Sequence, residues 1–83
     1  MNIPTKKENP NGLHQKYFIQ KTNGESIDEG AEYFVLRLDG GGSDPIHNEA
    51  CRQAVLTYAT IIKNHLPNLS DDLFERYGGG VMK

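Results

Sequence analysis

The stretch from Arg37 to Arg52 gathers side chains that can do chemistry: Arg37, Asp39, Ser43, Asp44, His47, Cys51 and Arg52, with glycine at positions 40, 41 and 42. A glycine loop running into a helix start is suited to anions. The first N–H groups of a helix have no partner inside it, and glycine lets a ligand approach the backbone closely. Ser43 can add a hydroxyl, and Arg37 and Arg52 supply planar forks that match phosphate oxygens. His47 falls in the first helical turn, facing the same point. Against an anion stand the carboxylates of Asp39 and Asp44, the lack of a P-loop lysine and the lack of a GxGxxG pattern. The competing reading of this stretch is a slack connector that ends in a capped helix.

His47 and Cys51 are four residues apart, a spacing that puts two ligands on one helix face. Zinc needs two more, and Asp39 and Asp44 complete such a set poorly, so neither a metal nor a cofactor is expected. A nucleophilic mechanism needs a base and an orienting group beside the nucleophile. Cys51, His47 and Asp44 have suitable chemistry, but 83 residues leave little scaffold to enclose a pocket. The one catalytic candidate is His47, as the base of a small phosphodiesterase. Among the aromatic residues, Tyr33 and either Tyr17 or Phe18 exceed what a one-sided core needs. Exposed rings serve a subunit interface or a stacking platform for a base, which adds Tyr33 to the ligand-binding set of Arg37, Ser43, His47 and Arg52.

The elements that must position these residues follow from patterning. Residues 16–22 are aromatic and β-branched, and the Asn23-Gly24 pair is a strong turn signal. Residues 26–28 can return as a short strand. Residues 31–38 (AEYFVLRL) read as a central strand, with Phe34, Leu36 and Leu38 toward the core. Asp44-Pro45 then announces a helix, with aspartate as N-cap and proline at the first helical position. Its apolar or small positions are Ala50, Cys51, Ala54, Val55, Tyr58, Ile61, Ile62 and Leu66, and Pro67 stops it near Leu66. Ser70 caps a second, short helix that runs to Tyr77 and ends at Gly78. The expected fold is α+β: a small antiparallel β-sheet, a hairpin plus a central strand, followed by one long and one short helix packed on one face. Residues 1–12 read as a disordered N-terminal arm, 13–77 as a single α+β domain and 78–83 as a flexible tail.

Composition narrows the function classes. A chain of 83 residues with 36% hydrophobic content and a mean hydropathy of −0.63 buries too little surface to be robust alone. One cysteine forms no intrachain disulfide, so a homo-oligomer is the expected remedy. The net charge of −2 is spread evenly. Residues 1–42 hold five basic and six acidic side chains, and residues 43–83 four and five. Nonspecific nucleic-acid binding, which needs a basic excess on one face, is therefore not expected. No apolar run reaches the length of a membrane span. The polar opening, residues 1–10, does not read as a signal peptide, and with a free thiol the expected location is the cytoplasm.

Residues 16–19 (KYFI), 22–25 (TNGE) with Ile27-Asp28, and 32–39 (EYFVLRLD), followed by Asp44-Pro45, His47, Ala50-Cys51-Arg52, Tyr58-Ala59, Leu69 and Asp72-Leu73, resemble a family of small proteins from phages, prophages and bacterial genomes. The likeness spans residues 16–77. This sequence departs from it at Gly40 to Gly42, which lengthen a usually shorter loop. The resemblance implies a phage-related context rather than a reaction. The expected function is a non-catalytic binding protein that sequesters a small nucleotide immune signal. Its alternatives are an inhibitor or adaptor binding a host protein and the His47 phosphodiesterase.

Overall fold

Asp44 starts the first regular element as its residue type demands. Its backbone is extended (φ −102°, ψ 106°), and its side chain accepts from the N–H groups of Ile46 (3.0 Å) and His47 (3.2 Å). Pro45 takes the first helical position, where its missing N–H costs nothing. Helix α1 runs Pro45–Ile62 and helix α2 runs Pro67–Tyr77 in the computed structural model, which describes residues 3–79. The chain divides into two units, Met1–Val35 and Leu36–Lys83, and both helices belong to the second.

The helices form an antiparallel hairpin. α1 ends at Ile62 rather than near Leu66, and the amides of His65 and Leu66 both return to the Ile62 carbonyl. Pro67, expected as a stop, is instead the first residue of α2, since a fixed φ and an absent N–H suit a helix start as well as they spoil a helix middle. Four residues separate the helices, the connection length of a tight αα-hairpin. Ser70, expected as the cap of α2, lies inside it and is wholly buried, its Oγ donating to the Ala59 carbonyl at 2.7 Å. At the far end the Gly78 amide closes on the Phe74 carbonyl.

The buried side of α1 is a narrow one. Cys51, Leu56 and Ala59 are buried, and Asn48, Arg52, Val55 and Ile62 are half-buried, which traces one face at spacings of three and four. The apolar stripe expected from the sequence is rotated from this face. Ile61, placed on that stripe, is 77% exposed, and Ala50, Ala54 and Tyr58 are also exposed. Two small residues at the crossing, Cys51 and Ala59, with Ser70 opposite, let the backbones approach closely, so the packing selects for size as much as for hydrophobicity.

The expected antiparallel sheet is not formed: among the described residues there are two helices and no strand, so the fold is all-helical rather than α+β. The turn itself does form. The Gly24 amide bonds to the Lys21 carbonyl at 3.2 Å, Gly24 takes a φ of +82°, and the Asn23 side chain accepts from the Glu25 amide. No ladder follows it. Among the described residues, 16–20 and 32–35 make no backbone–backbone hydrogen bond. A strand forms only where a neighbouring strand takes up its N–H and C=O groups, whatever its propensity. Phe34, assigned to the core side, is 71% exposed, and Phe18 is 90% exposed.

Within the first unit the described part of the expected arm is tied by local bonds. The Thr5 amide donates to Glu8 Oε1 and the Glu8 amide to Thr5 Oγ1, a reciprocal box. The Thr5 backbone bond holds the Glu8 carboxyl below its ordinary value, with the Thr5 hydroxyl adding to it. The Gln15 amide reaches the Pro4 carbonyl at 2.8 Å. Residues 1–2 of that arm and 80–83 of the expected tail lie outside the described residues.

Candidate functional site

The glycine loop is fastened to α1 by one side chain. Asn48 Nδ2 donates to the carbonyls of Gly42 (2.8 Å) and Gly40 (3.1 Å), and Gly40 takes a φ of +72°, which glycine adopts without strain. At its entry Arg37 and Asp39 form a bidentate pair, Nε to Oδ1 at 2.6 Å and Nη2 to Oδ2 at 3.0 Å, and the Gly41 amide also donates to Asp39 Oδ1. The Arg37 guanidinium, with help from the Gly41 amide, holds the Asp39 carboxyl below the usual aspartate range. The loop thus supplies its own anions: Asp39 accepts from Arg37, and Asp44 accepts from the first N–H groups of α1.

An open depression of about 580 Å³ lies beside this loop, within the second unit. Its loop side is Leu38, Asp39 and Gly40, and its α1 side is Pro45, Asn48, Glu49 and Arg52. Arg76, Tyr77 and Gly79 at the end of α2 close it. Antiparallel packing brings the last turn of one helix against the first turns of the other. Each of the two carboxylates on the wall already has a partner. Asp39 holds Arg37, while Glu49 accepts from Gln53 at 2.7 Å and stands 3.4 Å from the Arg52 guanidinium. Arg52 also reaches the Gly79 carbonyl at 3.5 Å. Arg76 forms no ion pair among the described residues, and its guanidinium carbon lies 6.0 Å from the Tyr77 ring centroid. One half-buried guanidinium, one without a carboxylate, an aromatic ring and an amide therefore face one space.

Of the residues expected to bind ligand, Arg52 lies on the depression. Arg37 borders it through its partner Asp39. Ser43 is exposed at the approach to α1 and is not among the lining residues. His47 is exposed on the first turn of α1, and its Nε2 is 3.4 Å from Cys51 Sγ. That thiol is 1% exposed, so an attack by it on a substrate would require the helix pair to open. Tyr33 belongs to the first unit and is 39% exposed. Among the described residues no three His, Cys, Asp or Glu side chains group as metal ligands.

Sequence reasoning missed Arg76, Tyr77 and Asn48. Residues 70–77 read as a short helix capped by Ser70, and nothing local to Arg76 marks it. The usable signal was the four-residue link after Ile62: a short link makes neighbouring helices antiparallel, which carries the end of α2 to the start of α1. Comparison with protein-family models, with curated proteins and with solved structures found no match for this chain. No helix among the described residues is long and apolar enough to cross a membrane.

Proposed function

We propose that this chain is a non-catalytic binding protein that captures a small anionic ligand with a flat ring, a nucleotide by chemistry, in the depression between the glycine loop and the helix hairpin. The observation that carries this reading is the convergence of Arg52 and Arg76 with the Tyr77 ring on one space, with Arg76 unmatched by a carboxylate. Guanidinium forks take phosphate oxygens, and an aromatic face accepts a planar base. The walls are fixed in advance by the Asn48 bonds to the loop and by the Ser70 bond between helices, which lowers the cost of ordering on binding. In this reading the protein acts by occupancy, sequestering its ligand in a reducing cytoplasm where Cys51 stays a thiol.

Isothermal titration with inorganic phosphate, pyrophosphate, nucleoside monophosphates and cyclic dinucleotides tests it. At least one nucleotide is expected to bind saturably, and more tightly than phosphate or the matching nucleoside. Arg76→Ala and Arg52→Ala are each expected to weaken that binding by about tenfold or more, the worth of a charge-assisted hydrogen bond. Binding that is the same in both variants as in the natural chain refutes the site. Ligand recovered unaltered after heating supports sequestration, whereas recovered product makes the protein an enzyme and returns attention to His47.

A further inference from the structure

The first unit holds no buried residue among those described: every buried side chain (Cys51, Leu56, Ala59, Ser70) lies in the second. Its charges are also sorted. Residues 16–21 carry Lys16 and Lys21 with the exposed rings of Tyr17 and Phe18 and no acid. Beyond the Asn23-Gly24 turn, residues 25–32 carry Glu25, Asp28, Glu29 and Glu32 and no base. Neither Lys16 nor Lys21 is paired with a carboxylate among the described residues. Holding such a stretch in one conformation costs about 1–2 kcal/mol per residue in backbone entropy, and an apolar contact must offset that.

We infer that the first unit is a self-association surface, in which the basic, aromatic arm at 16–21 of one copy lies on the acidic arm at 25–32 of a second copy, and the reverse. A twofold arrangement makes the contact reciprocal, so the contact of a basic arm with an acidic one occurs twice in the same interface. Opposite charges set the register and the approach of the arms, while covering Tyr17 and Phe18 supplies the apolar term. A second copy fits better than a foreign protein because both halves of the complementary pattern are written in this chain. The inference stands apart from the ligand reading, whose residues all belong to the other unit.

Size-exclusion chromatography with light scattering, on the full chain over a range of concentration and salt, reads it directly. A dimer that loosens as salt rises is expected, since salt screens exposed charge pairs. Lys16→Glu with Lys21→Glu should raise the dimer dissociation constant at least about tenfold, near 1.4 kcal/mol, and Phe18→Ser should do the same. Adding Glu25→Lys, Asp28→Lys and Glu32→Lys to the first pair should restore the dimer, because three lysines against Glu29 make the 25–32 arm basic and both arms are then reversed. Circular dichroism should show the same helix content throughout, since the substituted residues lie outside α1 and α2. A natural chain that stays monomeric at low salt and high concentration overturns the inference and leaves the arms to a foreign partner. A charge-reversed variant that dimerises unchanged, or a fivefold variant that fails to recover, overturns it too.

Discussion

The Ser70 hydroxyl donates to the Ala59 carbonyl at 2.7 Å, eleven residues away in sequence and with both residues wholly buried, so one hydrogen bond joins the first turn of α2 to the last turn of α1. A serine there does two things. It is small enough for close packing against Ala59, and it satisfies its own polar atom where the side chain is closed to solvent. Among the described residues no buried side-chain nitrogen or oxygen is left without a partner.

Ser70→Ala keeps the size and removes the bond, so it should destabilise the hairpin by about 1 kcal/mol. In a chain this small that lowers the melting temperature by roughly 4–8 °C. Ser70→Leu should cost more, about 1–3 kcal/mol, because added carbons meet a close-packed crossing. Thermal melts followed by circular dichroism measure both. An alanine variant that melts with the natural chain would show that the bond contributes nothing net.

Leu56 and Ile61 reverse what the apolar pattern of α1 suggests. Leu56 is 8% exposed and Ile61 is 77% exposed. Leu56→Ala should therefore cost about 2–4 kcal/mol, from lost transfer energy and the cavity left behind. Ile61→Ala should stay within about 0.5 kcal/mol, as exposed substitutions do. Urea titrations of the two variants decide it, and equal losses would mean that the buried face of α1 is wider than these positions imply.

That reversal shows what was legible in this sequence. The start of α1 was, because Asp44 and Pro45 carry their own capping chemistry. The end of α2 at Gly78 was too, since a Cβ there would strike the Phe74 carbonyl oxygen. The buried face of α1 was legible in part: Cys51, Val55 and Ile62 stood on the expected stripe, but Leu56 and Ala59 did not and the exposed Ile61 did, because a close crossing selects for size as well as for hydropathy. The sheet was misread for a related reason. Tyr17, Phe18 and residues 33–36 have strand propensity, but a strand exists only with a neighbour to bond, and propensity says nothing about whether one is present. Of the residues on the depression, Arg52 had been singled out from its type and place, whereas Arg76 and Tyr77 reach it through the antiparallel crossing of the helices.

Asp39 should titrate below the ordinary aspartate value of 3.8. Its folded pKa is depressed by the Arg37 bonds and the Gly41 amide, so the tie at the loop entry is fully present above that ordinary value. It is lost as pH falls through the lower folded value. Arg37→Ala removes the larger cause and should move the titration upward toward 3.8. Carboxyl-carbon NMR across the acid range reads both chains. An Asp39 that titrates at the ordinary value in the natural chain would mean that the pair does not persist in solution.

Asn48 should govern the loop and, through it, the depression. Its amide donates to two carbonyls, Gly40 and Gly42, so Asn48→Asp replaces two donors with a carboxylate facing two carbonyl oxygens. Asn48→Ala only removes the bonds, and each exposed or half-exposed bond contributes about 0.5–1.5 kcal/mol. The aspartate should therefore release the loop more fully than the alanine. Gly42→Ala tests the same tie from the other side, because a Cβ there would come to 2.7 Å from Asn48 Oδ1 and push the amide off its carbonyls. Hydrogen exchange at the Gly41 amide should speed up in all three variants, most in Asn48→Asp. If the loop shapes the binding site, nucleotide affinity should fall in the same order. Faster exchange with unchanged affinity would confine the ligand to the helix side, at Arg52, Arg76 and Tyr77.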